Sequence, residues 1–215
     1  MYFIAEIGSN WLGDIQIAKE IIKKCKEAGA NAVKFQMWRA DDLYQGKYKE
    51  YELTFEKAKI IKQYCDFIGI EFFCSVFYPE AVGFLESLGV KRYKLASRTM
   101  KVNDPYSAET IYAVERTRKP IIYSNGSLYP YTKNKKLYCI PEYPANPDKI
   151  DWEELLECDG FSDHTLGIEM ALKYARLRPD SIIEKHVKLD DNLSPDSPFS
   201  ITTQELATLI TLSTS

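Results

Sequence analysis

Short apolar runs alternate with amphipathic helical stretches along the chain, and this alternation constrains the fold more than any other feature. An apolar run suits a strand that is buried on both faces, and a helix between consecutive strands makes those strands parallel. Eight such runs occur, which is the number that closes a (β/α)8 barrel. They span residues 3–7, 32–36, 71–76, 92–96, 121–124, 137–140, 160–164 and 182–187. We therefore predict an α/β protein that forms a compact TIM (β/α)8 barrel.

Helical periodicity fills most of the stretches between these runs. In the first stretch Ile17, Ile21 and Cys25 fall on one face, and lysines occupy the opposite face. Gly29 follows and is the type of residue that commonly ends a helix. The predicted helices span residues 15–28, 54–68, 79–88, 105–116, 166–177 and 203–212.

One barrel helix is missing from the pattern after the fifth run. Residues 125–136 include Gly126, Pro130, tyrosines and lysines, and they show no helical periodicity. A doubly wound open sheet is the alternative fold, but residues 8–13 lack the G-x-G-x-x-G spacing of a dinucleotide-binding turn. We therefore expect a barrel without a helix between its fifth and sixth strands.

The composition fits one soluble globular domain over residues 1–215. A net charge of -3 argues against a general nucleic-acid surface, and no apolar run is long enough to span a bilayer. The five cysteines are odd in number and form no C-x-x-C pair, which indicates buried thiols in a reducing compartment. Since the first residues also lack a basic leader and an apolar signal region, we expect a cytoplasmic protein.

Two histidines, His164 and His186, close the seventh and eighth runs. A single helical stretch separates them, so a parallel barrel places both imidazoles on neighbouring strands at its C-terminal mouth. Neutral imidazole is the commonest transition-metal ligand, and the pair therefore predicts half of a metal site. The alternative is a pair of unrelated histidines, one packed and one exposed. Their equivalent positions at two strand ends favour the metal site.

Two lysines, Lys34 and Lys94, stand inside otherwise apolar runs, where an unpaired charge is costly. One interpretation is a structural ion pair with Glu6 or Glu184. A second is an anion site for a phosphate and a carboxylate of one small molecule. A third makes one lysine a Schiff-base nucleophile, as in some barrel aldolases. The second is favoured by serines at the ends of other runs, namely Ser75, Ser97, Ser124 and Ser162.

Four phrases, in order along the chain, resemble the sialic acid synthases, including the related legionaminate and pseudaminate synthases. They are Ile-Ala-Glu-Ile-Gly-Ser-Asn at 4–10, Gly-Ala-Asn-Ala-Val-Lys-Phe-Gln at 29–36, Phe-Ser-Asp-His-Thr-Leu-Gly at 161–167, and Ile-Glu-Lys-His at 183–186. Weaker similarity occurs at 93–97, 119–126 and 142–144. The combination of Ser-Asp-His-Thr with Glu-Lys-His is the most specific part of the resemblance.

The resemblance implies a barrel enzyme, a transferase that condenses phosphoenolpyruvate with an N-acetylated sugar aldehyde, such as N-acetylmannosamine, and releases phosphate. It implies a divalent metal, manganese with magnesium or cobalt as alternatives, on His164 and His186. The residues that match the phosphoenolpyruvate contacts are Lys34, Ser75, Lys94, Ser97, Ser124 and Ser162. The carboxylates expected to orient the aldehyde or move a proton are Glu6 and Glu184. The residues expected to contact the sugar are Asn10, Gln36, Tyr143 and Asp163.

The chain also departs from the family pattern. Trp11 replaces a usual histidine, Arg98 and Thr99 stand where an acidic residue is common, and Pro141 replaces a polar residue. We expect the barrel domain alone, without the C-terminal antifreeze-like domain that in the family reaches across a dimer. A homo-oligomer and a separate partner polypeptide both stay open as ways to complete the site. The alternative functions are a catalytically silent barrel that binds a ligand or partner, and a barrel aldolase.

Overall fold

A closed barrel of eight parallel strands forms the centre of the molecule in a computed structural model, which describes residues 1–128, 133–190 and 193–214. The strands pair in chain order, and β1 pairs with β8 to close the barrel. They are β1 Tyr2–Glu6, β2 Ala32–Met37, β3 Glu71–Val76, β4 Tyr93–Leu95, β5 Ile121–Ser124, β6 Lys135–Tyr138, β7 Gly160–Asp163 and β8 Ile182–Lys188. A short β9, Ile201–Thr202, lies parallel to β8. The predicted TIM barrel is confirmed.

Helices surround the barrel, and their ends follow ordinary capping chemistry. Asp14 caps the first helix by accepting hydrogen bonds from the backbone N–H groups of Gln16 and Ile17. Gly69, in the left-handed conformation, ends the third helix. The helices are α1 Ile15–Glu27, α2 Ala40–Tyr44, α3 Phe55–Ile68, α4 Pro79–Ser87, α5 Ser97–Met100, α6 Ser107–Arg116, α7 Trp152–Glu157, α8 Glu169–Leu177 and α9 Thr203–Thr214. The sequence pattern did not predict α2, α5 and α7, because helices this short carry little periodicity.

The connection from β5 to β6 has no helix in its described residues, 125–128 and 133–134. Residues 129–132, with Tyr129, Pro130 and Tyr131, lie outside the described residues. The prediction places the sixth strand at residues 137–140, two residues too far along the chain, since β6 spans Lys135–Tyr138. The backbone of Lys135 and Lys136 pairs with β5, and their side chains form ion pairs with Asp159 and Glu154. These solvent-facing lysines hide the start of the strand from an apolar pattern.

The lower half of the barrel interior is filled by a lower layer of apolar side chains. Its members are Ile4, Ala32, Phe73, Ile122, Leu137 and Ile182. Gly160 faces the same space, and a Cβ atom there would lie 2.3 Å from the Ile182 carbonyl oxygen. The interior is therefore closed at this level, and any ligand has to enter from the C-terminal end of the strands.

Two further observations concern the chain as a whole. No helix among the described residues is both long and apolar enough to cross a bilayer. All five cysteines are free and buried, which confirms that they form no disulfide framework.

Candidate active site

A cavity of about 610 Å³ opens at the C-terminal mouth of the barrel. Strand ends and the loops that follow them form its wall, which is where barrel enzymes place their chemistry. Most of the predicted site residues line it: Glu6, Lys34, Gln36, Ser75, Lys94, Ser97, Ser124, Tyr143, Ser162, His164, Glu184 and His186.

A network of buried charges forms the floor of the cavity. Lys34 forms ion pairs with Glu6 and Glu184, the latter at 3.7 Å between Nζ and Oε1. Lys94 lies 3.2 Å from the same Oε1 atom of Glu184. All four side chains are at most 6% exposed. The structural ion pairs considered for the lysines therefore exist, and both lysines also face the cavity.

Burial and pairing move the pKa values of these groups in different directions. Burial raises the pKa of Glu184, but Lys34 and Lys94 outweigh burial and hold this pKa at about 2. Burial lowers the pKa of Lys34, yet Glu184 and Glu6 together raise it above its ordinary value. Burial also lowers the pKa of Lys94, and here the opposing effect of Glu184 is too small to restore it. Glu184 is therefore ionised and acts as an acceptor for both lysines.

Three serines on the floor are held as hydrogen-bond donors toward the cavity. Lys34 Nζ donates to Ser75 Oγ at 3.0 Å, and Lys94 Nζ donates to Ser124 Oγ at 2.7 Å. The Asn125 amide donates to Ser97 Oγ at 2.8 Å. Because each hydroxyl oxygen already accepts, its own proton is left to donate. The lysines thus polarise a set of hydroxyl donors, an arrangement that suits an anionic ligand. We define the inward-facing set as the upper layer: Glu6, Lys34, Ser75, Lys94, Ser124, Ser162 and Glu184.

The two histidines stand together above one side of this layer, with ring centroids 5.9 Å apart. His164 Nδ1 lies 2.7 Å from the Ile140 carbonyl oxygen, which can only accept, so Nδ1 carries the proton. Burial, followed by the effect of His186, lowers the pKa of His164 to about 3. His164 is therefore a neutral imidazole with its lone pair on Nε2.

On each imidazole, one ring nitrogen receives no hydrogen-bond proton from the side chains that the structure describes. These atoms are Nε2 of His164 and Nδ1 of His186. Ser162 lies 3.3 Å from His164 Nε2, but its only proton goes to Glu184 at 2.7 Å. His186 Nδ1 is buried without a hydrogen-bond partner and lies 3.9 Å from Asp196 Oδ2. His164, with its lone pair on Nε2, and His186, with its unpartnered Nδ1, fit two ligands of a divalent ion. Among the residues that the structure describes, no group of three metal-binding side chains occurs.

Two predicted sugar contacts lie outside the cavity lining. Asp163 points to the outer face of β7, where it pairs with Lys185 at 2.9 Å and accepts from the backbone N–H of Thr165. The Asn10 amide donates to the Val187 carbonyl oxygen at 2.9 Å and anchors the turn after β1. Gln36 and Tyr143 do face the cavity. Gln36 Nε2 donates to Glu6 at 2.8 Å, and Tyr143 stacks on His164.

Loops contribute cavity residues that the sequence patterns did not indicate. Asp196, from the segment between β8 and β9, accepts the backbone N–H of Ser9 at 2.7 Å. This approach requires Gly8, because a Cβ atom there would lie 2.1 Å from Asp196 Oδ2. No sequence spacing links Asp196 to the first strand, so only the folded chain shows the contact. The other lining residues that no pattern indicated are Tyr44, Phe77, Ala96, Lys101, Asn103 and Phe199. Cys139, which ends the predicted sixth run, and Arg98 and Pro141, where the chain departs from the family pattern, also line the cavity.

A comparison with families of known proteins agrees with this geometry. The model of the NeuB family matches residues 21–214, which is most of the chain. The chain belongs to the NeuB family. This confirms the resemblance to the sialic acid synthases that the four sequence phrases indicated.

Individual members of the family are similar over nearly the full chain. The N,N'-diacetyllegionaminic acid synthase of Legionella pneumophila is 31% identical, and the match covers 97% of this chain and 70% of that protein. The N-acetylneuraminate-9-phosphate synthase of Homo sapiens is 26% identical, with coverage of 97% and 68%. The crystal structure of N-acetylneuraminic acid synthetase from Leptospira borgpetersenii, solved with citrate, superposes with a TM-score of 0.87 at 25% identity. That match covers 99% of this chain and 82% of the solved chain.

Proposed function

We propose that this protein condenses phosphoenolpyruvate with an N-acetylated sugar aldehyde to form a nonulosonic acid and release phosphate. The observation that carries the proposal is the upper layer, where two buried lysines polarise Ser75 and Ser124 beside the imidazoles of His164 and His186. The synthase names of the family relatives support the same class of reaction.

The floor of the cavity would bind phosphoenolpyruvate. Lys34 and Lys94 supply positive charge, and Ser75, Ser97 and Ser124 supply donors for the phosphate and carboxylate oxygens. Glu6 and Glu184 hold the Lys34 and Lys94 side chains in position. These charges therefore need not reorganise when phosphoenolpyruvate binds. The ligand would thus be held with its C3 carbon directed toward the second substrate.

The imidazole side of the cavity would receive the aldehyde. His164 and His186 would hold the divalent ion, and that ion, when bound, supplies Lewis-acid polarisation of a carbonyl group. Gln36 and Tyr143 lie beside this position and would orient the sugar. C3 of phosphoenolpyruvate would attack the carbonyl carbon, water would add at C2, and the C2–O bond to phosphate would break. Glu6 and Glu184, at the boundary of the two substrates, would orient the aldehyde or move the proton.

Phosphate release with phosphoenolpyruvate, Mn²⁺ and a panel of N-acetylhexosamines tests this proposal. Phosphoenolpyruvate alone should raise the melting temperature of the protein, because a ligand that binds the folded state stabilises it. Lys34→Met should weaken phosphoenolpyruvate binding at least about tenfold, since it removes a charged partner. Lys26→Met, on the helix surface, is the matched control. Protein that binds phosphoenolpyruvate but releases no phosphate with any acceptor would indicate a silent barrel.

A Schiff-base aldolase is the second candidate, and the lowered pKa of Lys94 favours it, because a nucleophilic amine has to be neutral. Borohydride trapping with pyruvate, followed by mass spectrometry, separates the two reactions. A covalent adduct on Lys94 would support the aldolase and contradict the synthase.

A cytoplasmic location, a single domain and any oligomeric or separate partner stay predictions from the sequence.

A further inference from the structure

An ion pair between Asp163 and Lys185 lies on the outer face of the barrel wall, and no step of the proposed reaction uses it. Lys185 Nζ lies 2.9 Å from Asp163 Oδ2, and both side chains are at most 1% exposed. The buried residues two positions away on the same strands are apolar: Phe161 on β7, and Ile183 and Val187 on β8. A pair of charges therefore interrupts an apolar surface, where the loss of hydration offsets most of the attraction between them.

The pair joins the two strands that carry the histidines. Asp163 and Lys185 are opposite each other in the last register position of the β7–β8 ladder. Each is followed directly by a histidine, His164 on one strand and His186 on the other. Because neighbouring residues of a strand face opposite sides, the ion pair lies behind the wall from which both imidazoles project.

The two histidines are held by different means. His186 lies within β8, and its backbone is in register with Glu6 of β1. His164 lies one residue beyond the end of β7. On the side of β6, its carbonyl oxygen accepts from the Ala145 N–H at 2.9 Å, and its Nδ1 atom donates to the Ile140 carbonyl oxygen. On the side of β8, the position of His164 has to be set by its neighbours in the chain.

The ion pair binds the backbone that follows His164. Asp163 Oδ1 accepts from the Thr165 N–H at 2.8 Å, and Lys185 Nζ donates to the Thr165 carbonyl oxygen. Lys185 thus reaches from β8 to the residue before His164 and to the residue after it. These contacts restrain the backbone of His164 relative to the strand that carries His186.

We infer that Asp163 and Lys185 are positioning residues, which set the spacing between the imidazoles of His164 and His186. The inference rests on the proposed function in one respect, namely that these imidazoles hold a divalent ion. Ligands whose positions are fixed beforehand bind an ion more tightly than ligands that have to be brought together. Asp163 would then act behind the site and not on the sugar.

A double variant, Asp163→Asn with Lys185→Met, removes the connection between the strands and is called the link variant. Asparagine keeps an acceptor for the Thr165 N–H, and methionine keeps most of the apolar length of the lysine side chain. Because both charges are removed together, no buried charge is left unpaired.

The control variant is Glu71→Gln with Arg92→Met. It removes an ion pair of 2.7 Å between the first residue of β3 and the residue before β4, at the opposite end of the barrel. Glutamine keeps an acceptor for the Tyr2 hydroxyl, which donates to Glu71. Urea unfolding measures how much stability each double variant loses.

NMR of protein labelled with ¹⁵N-histidine provides the first readout, because the chain contains two histidines and both belong to the site. In the metal-free wild type, His164 should carry its proton on Nδ1, and hydrogen bonding to Ile140 should slow the exchange of that proton. In the link variant the exchange should be at least about tenfold faster, whereas the control variant should leave it unchanged. Identical spectra of the link variant and the wild type, or equal changes in both double variants, would overturn the inference.

Calorimetry with Mn²⁺ alone provides the second readout. The link variant should bind Mn²⁺ at least about tenfold more weakly, as when support for a metal ligand is lost, and the control variant should bind it like the wild type. Unchanged Mn²⁺ affinity in a folded link variant would overturn the inference. A wild-type protein that binds no Mn²⁺ would instead contradict the proposed function, and the NMR comparison would then decide the inference by itself.

Hydrogen exchange of the wild-type protein decides the inference if the link variant does not fold. Thr165 lies outside β7, but its N–H is bonded to a buried carboxylate. We expect this N–H to exchange about as slowly as that of Ile183 within β8. Rapid exchange at Thr165 would show that the ion pair does not hold this backbone, and the inference would be wrong.

Discussion

The lower and upper layers of the barrel interior occupy neighbouring positions on the same strands but differ in chemistry. Each pair is separated by two residues: Ile4 and Glu6 on β1, Phe73 and Ser75 on β3, Ile182 and Glu184 on β8. The lower layer is apolar and filled, whereas the upper layer holds two lysines and two glutamates and borders a cavity of about 610 Å³. Strand alternation alone puts both layers inside, so side-chain type decides where the packed core ends and the site begins.

The two layers also differ in what they contribute to stability. Apolar burial in the lower layer stabilises the closed barrel in proportion to the area removed from water. Charges in the upper layer must lose most of their hydration, and their mutual attraction does little more than offset that cost. A buried charge network is therefore weak evidence for stability. Its presence beside the cavity supports a functional reason for these residues, and the following measurements examine this difference between the layers.

The largest effect is expected from Glu184→Gln. Lys34 and Lys94 would lose the carboxylate they share, and removing one member of a buried charge network costs about 3–5 kcal/mol. Urea unfolding at neutral pH measures the change. Glu154→Gln, which breaks an exposed pair with Lys136, is the matched control and should cost at most about 1 kcal/mol. Equal losses in both variants would show that the upper layer is effectively hydrated.

A pH dependence is expected from His164, the neutral imidazole above the upper layer. Its pKa falls from 6.5 to about 3 on folding, so in that range the unfolded chain binds a proton that the native protein does not. The contribution of His164 to the free energy of unfolding is fully present above pH 6.5. It declines by about 1.4 kcal/mol per pH unit as the pH falls toward 3. Unfolding experiments between pH 6.5 and 5.5, above the pKa of 4.5 at which Glu184 titrates in the unfolded chain, should show this slope in the wild type. The His164→Asn variant should lack it, and an identical slope in both proteins would contradict the assignment.

A smaller effect is expected from filling the lower layer further. In Gly160→Ala the new methyl group would meet the Ile182 carbonyl oxygen, and overpacking of this kind costs about 1–3 kcal/mol. Gly83→Ala is the control, because its Cβ has no neighbour within 4 Å and lies in a helix, where alanine is favoured. Thermal unfolding should show a lower melting temperature for Gly160→Ala and a higher one for Gly83→Ala than for the wild type. An unchanged melting temperature in Gly160→Ala would mean that the lower layer has free space.

The smallest effect is expected from Ile122→Val, which removes one methyl group from the lower layer. The loss should be about 1 kcal/mol, with phosphate release unchanged. Ser124→Ala, two residues along the same strand, should instead weaken phosphoenolpyruvate binding, because it removes a hydroxyl donor from the cavity floor. If Ile122→Val reduced the rate of phosphate release as much as Ser124→Ala did, the two layers would not be functionally separate.

The sequence by itself determined the barrel, most strand ends and the inward pairs such as Lys34 with Gln36 and Glu184 with His186. These features depend on short-range rules: apolar runs define strands, and alternation by two residues sets the face. The same alternation places Asp163 on the face opposite His164, although Asp163 was expected to contact the sugar. A linear phrase shared with a family carries no information about the face of the strand, whereas the alternation does.

Only the tertiary structure decided which loop residues reach the mouth and which charges meet there. Asp196 comes to His186 through its contact with the backbone of Ser9, a residue far away in the sequence. Arg98 lines the cavity because the buried Asp104 holds its guanidinium. Such contacts depend on the closure of β1 against β8 and on loop paths that no local periodicity records. Local preference shapes each strand and helix, but the meeting of distant side chains depends on the packing of the whole barrel.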